Sequence, residues 1–395
     1  MNTEDELARV VRDHAGRLAG SLVSLLGDFS AAEDLVQDAV EIALRRWPVE
    51  GIPERPDAWL FTVAKRRGLD VLRRQQNYRA KLAELQHLDP QPAVDDRLRL
   101  IFTCCHPALA REAQVALTLR VVCGLTTAQI AAAFLASESA VAQRITRAKR
   151  KITDARIPYR IPHDDELPER LSEVLTVIYL LFNEGYLSST AERVHSRDLV
   201  DDAEWLTALL HGLLPNEPEV AGLLALIRLH RARTAARFTP TGDLILLEDQ
   251  DRTLWDHAAI TEATALLTRT AHRHHAPGPY QLQAAIAACH SEAPTWSDTD
   301  WPQILVLYDM LLTLQPSPVT CLHRSVALSF VEGPAVALAE LDQLALGSYP
   351  LFHASRAQFL RDLGRNSDAR QADERAAELT ANPAQLDLLR ERLAH

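Results

Sequence analysis

Apolar residues recur every three or four positions along almost the whole of this chain, and few stretches alternate in the twofold period of a strand. That spacing predicts an all-α protein. In the segment Glu4 to Leu26 the series is Leu7, Val11, Ala15, Leu18, Leu22 and Leu25, a single helical stripe. Ser30 stands three residues before Glu33, the arrangement of a capping box, and opens a second helix to about Trp47. A connector from Pro48 to Pro56 ends it. A third helix starts near Pro56 and runs through Trp59, Leu60, Val63, Leu69 and Leu72 to a charged stretch near Lys81. The polar segment His87 to Pro92 reads as a linker. From Asp95 to about Ile157 the pattern is helical again, broken at Cys123-Gly124. Gly124, the run Thr126 to Ala131, a turn around Ala136-Ser137 and a helix from Glu138 to Lys151 have helix-turn-helix dimensions.

Three prolines between Pro158 and Pro168 mark a second boundary. Helical runs follow at Leu171–Phe182, Asp198–Leu214, Glu217–Ala236, Leu254–Thr270, Tyr280–Ser291, Trp301–Leu314, Val319–Phe330, Gly333–Leu344, Tyr349–Leu363 and Ser367–Thr380. Gly242 to Leu247 is short enough to be a turn. In the last five runs small and large apolar residues alternate on a face, as in Ala335, Leu338, Ala339 and Leu341. That is how helical-repeat solenoids stack, and the Gly364-Arg365-Asn366 turn resembles a tetratricopeptide corner.

With 395 residues and 47% hydrophobic content, the chain has material for two or three packed domains. No apolar run reaches the roughly 18 to 20 residues that span a bilayer, and Met1 to Val11 is acidic and polar, so the chain is expected in the cytoplasm with no membrane partner. The net charge of −11 divides unevenly. Residues 1–160 hold 24 Lys+Arg against 20 Asp+Glu, a balance of +4, and residues 161–395 hold 18 against 33, a balance of −15. The first part is therefore where DNA contact is expected.

Two basic helices lie there. In Trp59 to Arg74, Leu60, Val63, Leu69 and Leu72 anchor one face while Lys65, Arg66, Arg67, Arg73 and Arg74 project from the rest. Such a helix follows a phosphate backbone, with Trp59, Phe61 or Tyr78 placed to stack on opened bases; a solvated basic helix is the alternative. In Glu138 to Lys151, Val141, Ile145 and Ala148 face the core. Ser139, Gln143 and Arg144 are then the base readers, and Arg147, Lys149, Arg150 and Lys151 the phosphate contacts, unless the element is a helical hairpin without DNA. Between Ala32 and Ala43, the apolar residues pack inward and Asp34, Gln37, Asp38 and Glu41 form an acidic and amide face. It suits a basic protein partner, or else is a solvated surface.

These segments resemble bacterial sigma factors of the extracytoplasmic-function (ECF) type. Asp34-Leu35-Val36-Gln37-Asp38 is similar to the region-two surface that docks on the clamp helices of core RNA polymerase. Trp59 to Arg74 resembles the strand-opening and proximal-promoter helix, and Gly124 to Lys151 the region-four helix-turn-helix that reads the distal promoter element. Leu98 to His106 and Leu117 to Arg120 stand where region four packs on the polymerase flap. Leu181 to Tyr186, Gly222 to Leu226, Leu247 to Arg252, Tyr280 to Ala288 and Ala354 to Ala357 resemble a subgroup with a long tetratricopeptide-like C-terminal extension. The resemblance implies region two over 1–80, a linker over 81–96, region four over 97–157, a second linker over 158–170 and the extension over 171–395, tetratricopeptide-like towards 300–395. Its implied partners are core polymerase and promoter DNA, with an intramolecular contact between extension and sigma domains, and without a conventional anti-sigma factor. Arg66 stands where the family commonly has asparagine, Leu135 where it has glycine and Ala140 where it has threonine, so the promoter sequence is not carried over.

Within the extension, Asn183, Glu184 and Tyr186 form one polar group, Asp249, Gln250, Asp251, Arg252 and Trp255 a second, and Gln281 and Gln283 a third. An Asp251–Arg252 charge pair locking a turn is the expected structural role, and a ligand or peptide pocket between helices is the alternative. The five cysteines are expected as buried thiols, and His272, His274 and His275 as surface residues beside a proline-rich loop; neither set has metal-ligand spacing. No cofactor is expected. With no phosphate loop, His-Glu-x-x-His or Gly-x-Ser-x-Gly, the chain is not expected to be an enzyme. The other reading is a stand-alone helix-turn-helix regulator whose helical extension senses a ligand or dimerises.

Overall fold

The computed structural model describes residues 18–23, 26, 28–74, 96–134, 136–187, 193–239, 241–271, 276–380 and 382–394. Among these residues the protein is all-α, with an isolated antiparallel bridge between Phe238 and Leu244, the latter in the segment Gly242 to Leu247 read as a turn. The chain divides into two compact units, one formed by Met1–Tyr186 with Val194–Leu206, the other by Leu187–Arg193 with Thr207–His395.

In the first unit, α1 (Phe29–Glu50) packs on α2 (Pro56–Arg74). Leu35, Val36, Ala39, Ala43 and Trp47 on α1 and Leu60 and Ala64 on α2 are buried, the three-to-four spacing that makes each helix amphipathic. Trp47 meets Trp59 edge-on, ring centroids 5.6 Å apart. The cap of α1 is not Ser30, which lies inside the helix. Asp28 fills that place, its Oδ1 accepting from the Ala31 amide at 3.1 Å. Nor does Pro48 end the helix: it sits in the last turn, and the chain leaves at Gly51, whose φ of 86° takes the left-handed conformation that glycine tolerates.

Then come α3 (Asp96–Cys104), α4 (Arg111–Val121), α5 (Thr127–Ala133) and α6 (Glu138–Asp154). Every position of α4 from Ala113 to Leu119 is buried, because α3, α5 and α6 all pack on it. The Gln114 amide donates to the His106 carbonyl at 2.9 Å and closes the α3–α4 corner. After α6 the chain does not hang free: Ile157 and Pro162 are buried, and Arg160 pairs with Glu166 at 2.7 Å. It then enters α7 (Leu167–Leu187).

Helix α8 (Arg193–Leu213) gives its earlier turns to the first unit and its last, from Thr207, to the second. In the second unit α9 (Pro218–Arg231) is enclosed by α10 (His257–Ala271) and α11 (Pro279–Glu292). Helices α9 and α11 touch backbone to backbone at Gly222, where a Cβ would stand 2.7 Å from the Gln281 nitrogen. Serial packing follows through α12 (Trp301–Leu314), α13 (Pro318–Val331), α14 (Pro334–Leu341), α15 (Pro350–Asp362), α16 (Asn366–Leu379) and α17 (Pro383–Ala394). From α13 on, each helix starts 16 or 17 residues after the one before. Leu322, Leu338, Leu341, Phe352, Phe359 and Leu360 form their core.

Candidate nucleic-acid and polymerase interface

On α2 the buried series Leu60, Ala64 and Gly68 turns Phe61, Lys65, Arg66 and Arg67 outward. Val63 and Leu69, expected as core anchors, are half-buried. Phe61 is 36% exposed, and the Lys65 ammonium stands 5.7 Å from its ring centroid. An exposed aromatic ring flanked by cations can stack on a base while the cations meet phosphates. Of the three aromatics expected to do this, Trp59 is instead engaged with Trp47, and Tyr78 lies outside the described residues. The side chains of Arg73, Arg74 and Leu72 also lie outside them.

On the facing helix α1, Asp34 and Glu41 are exposed, and Gln37 and Asp38 are half-buried. Glu41 pairs with Arg45 one turn on, and Asp38 pairs with Arg67 of α2. The structure thus joins a residue expected to meet polymerase to one expected to meet DNA.

The helix-turn-helix forms around α4, α5 and α6. Gly124 takes a φ of 78°, and Arg120 donates to the Leu125 carbonyl at 3.0 Å, fixing the turn that leaves α4. Thr126 and Gln129 bond reciprocally at the start of α5, and Thr127 of α5 donates to Glu138 of α6 at 3.0 Å. Ser137 caps α6, accepting from the Ala140 amide. Val141, Ile145, Ala148 and Ile152 face inward. Ser139, Gln143, Arg147, Arg150 and Lys151 are exposed, and Arg144 and Lys149 are half-buried. Arg150 pairs with Asp154 at 3.2 Å. Helix α6 also touches α1.

The stretch expected to face a polymerase flap is largely interior. Leu98, Leu100 to Cys105 and Leu117 to Leu119 are buried because α3 and α4 use them as the core of this small domain. Cys104, Cys105 and Cys123 are buried there as expected, and Cys289 and Cys321 are half-buried. Burial pushes the Cys105 thiol up to about 12, against a lowering contact with Thr118. Among the described residues no group of His, Cys, Asp and Glu is placed to hold a metal ion. His272, His274 and His275 lie outside them.

In the extension, Tyr186 stacks on Phe182 with centroids 5.1 Å apart, Asn183 bonds Tyr179, and Glu184 is exposed. The expected Asp251–Arg252 pair does not form. Asp251 caps the short turn Arg252–Leu254, accepting from the Thr253 amide at 2.9 Å and hydroxyl at 2.7 Å. These bonds hold its carboxyl below the usual range. Arg252 turns the other way and donates to the carbonyls of His290 at 2.7 Å and Ala293 at 2.6 Å, tying the end of α11. Its guanidinium lies 4.5 Å from the Trp255 ring centroid, and that of Arg233 lies 5.9 Å from it. Asp249 is exposed, Gln250 donates to the Ile245 carbonyl and Gln283 is half-buried.

Sequence reasoning missed Glu219. Its carboxylate accepts from the amides of Tyr280 and Gln281 at 3.0 Å, so α9 caps α11 across 61 positions. No local motif announces a cap supplied from so far away. Buried Gln281 completes the joint by donating to Thr270 at 2.9 Å.

The family described as Sigma-70 region 2 matches residues 10–78, and that described as Sigma-70, region 4 matches residues 99–152. The chain is a sigma-70-family protein. Residues 170–271 of this sigma-70-family chain match a family of unknown function, DUF6596. An uncharacterized protein of Rhizobium meliloti (strain 1021), R00370, is 44% identical over 391 residues, which cover 95% of this chain and 92% of that protein. The two belong to one family over nearly their whole length. The probable ECF RNA polymerase sigma factor SigI of Mycobacterium tuberculosis, from strains CDC 1551 / Oshkosh and ATCC 25618 / H37Rv, is 30% identical over 169 residues. That alignment covers 40% of this chain and 58% of SigI. No solved structure matches the chain. No helix among the described residues is long and apolar enough to cross a membrane.

Proposed function

We propose that the chain is a sigma factor of the ECF type that binds core RNA polymerase and directs transcription initiation at specific promoters. The observation that carries this reading is the order of two sigma-70 regions, each ending in a helix with an outward basic face. In this reading Asp34, Gln37, Asp38 and Glu41 meet the polymerase. Lys65, Arg66, Arg67, Arg73 and Arg74 follow the proximal promoter and its opening strands. Ser139, Gln143 and Arg144 read base edges of the distal element, with Arg147, Lys149, Arg150 and Lys151 on phosphates. The polymerase supplies nucleotidyl transfer; this chain supplies recognition and strand opening.

The working division is region two over 1–80, region four over 97–157 and the extension over 171–395. The recurrence of helix starts at 16 or 17 residues supports a tetratricopeptide-like stack from Trp301 on, since a repeat of two such helices spans about 34 residues. The charge of −15 on residues 161–395 argues against the extension lying on DNA. Its role is to position or restrain the sigma regions.

Run-off transcription with purified core polymerase and genomic promoter fragments tests the proposal. Specific transcripts that require the full chain support it. Tight operator binding without polymerase, and no transcript with it, favours a stand-alone regulator instead.

A further inference from the structure

The two ends of α4 are held by different parts of the chain. At its start, Arg111 pairs with Glu173 of α7 at 2.7 Å and bonds the Gln114 side chain at 3.0 Å. Beside it, Arg170 of α7 donates to the Phe102 carbonyl at 2.6 Å, in the last turn of α3, where the helix dipole also favours a cation. Gln114 binds the corner between α3 and α4, so this grip from α7 holds both helices at once.

At its other end α4 carries the reading element. The Leu125 amide bonds the Leu119 carbonyl and the Arg120 side chain bonds the Leu125 carbonyl, so the turn into α5 moves with α4. The Thr127–Glu138 bond joins α5 to α6, and Val141, Ile145 and Ala148 of α6 are buried in the same domain. Between the ends, Ala113 to Leu119 are enclosed on every face, and a close-packed helix about 16 Å long transmits displacement without bending.

We propose that α4 is a lever: the grip of Arg170 and Glu173 at its start sets the aim of the recognition helix α6 at its end. Arg170 and Glu173 are positioning residues, and α7 is the route by which the extension acts on promoter reading. This rests on the reading of α6 as a DNA-contacting helix. It also gives the first helix of the extension a mechanical task.

The test uses the full chain and three variants: Glu173→Arg, the milder Glu173→Gln, and the swap Arg111→Glu with Glu173→Arg. Hydrogen exchange is followed without polymerase, and run-off transcription with it. Glu173→Arg is expected to raise exchange about tenfold across residues 122–145, with α1 and α2 unchanged, and to lower transcription; the swap restores both. Exchange that rises only at 108–115 and 168–175, or equally through α1 and α2, overturns the lever. If Glu173→Arg does not fold, Glu173→Gln and the swap decide by the same readout. Failure of the unmodified chain to start transcription would sink the sigma reading, while the exchange data would still decide the coupling.

Discussion

Arg67 of α2 forms an ion pair with Asp38 of α1, 29 positions earlier in the sequence. Both side chains are nearly half exposed, so the pair contributes under about 1 kcal/mol to folding. The swap Asp38→Arg with Arg67→Asp therefore leaves the melting midpoint nearly unchanged. Under the proposed function it abolishes run-off transcription, because each charge then faces the wrong partner. Transcription that survives the swap would reduce both residues to a surface pair.

Arg252 has two carbonyl acceptors and an aromatic face that a shorter side chain loses together. Arg252→Ala is expected to cost about 2 to 4 kcal/mol in urea unfolding. Arg252→Lys recovers little of it, since a single ammonium lacks the planar fork that serves both carbonyls and the ring. A full rescue by lysine would show that charge alone matters there.

Burial, aided by Arg233 and Arg252, pushes His290 down to about 4, so it is neutral in the folded protein at pH 7. The unfolded chain takes up that proton near 6.5, and the folded one only near 4. Stability is thus fully present above pH 6.5 and falls as pH drops to about 4, by up to about 3 kcal/mol from this group. His290→Phe should flatten that limb of a stability-against-pH curve; an unchanged slope would assign it to other groups.

Alkylation by iodoacetamide at pH 8 should find Cys321 first. Cys289, pushed up to about 11, should react slowly, and Cys105, pushed up to about 12 in a sealed core, should not react until the protein unfolds. Peptide mass mapping of native and denatured samples checks the order.

Where a pattern is local and repeated, sequence and structure coincide: α12 runs from Trp301 to Leu314 as its apolar spacing predicts, and α6 begins at Glu138 behind the Ser137 turn. Local signals that compete are less decisive. Asp28 and Ser30 are both good caps two residues apart, and the Ser30–Glu33 spacing favoured the one that the helix passes through. Proline misled at Pro48, which is tolerated near a helix end, but not at Pro318, Pro334 and Pro350, where the expected helices begin within a residue of the proline, the first-turn position where a missing N–H costs nothing. Helix α17, opened by Pro383, went unread. The exposed face of α6 was legible because burial follows helical period. The partners of Arg252, Glu219 and Asp38 were not, because each lies tens of residues away and depends on which helices the fold makes neighbours.

From α12 onward nearly all helix contacts join chain neighbours. A column built that way has no keystone. Heat or denaturant should take it apart one hairpin at a time, and a lineage could lengthen or shorten it by a whole pair of helices without rewriting the rest.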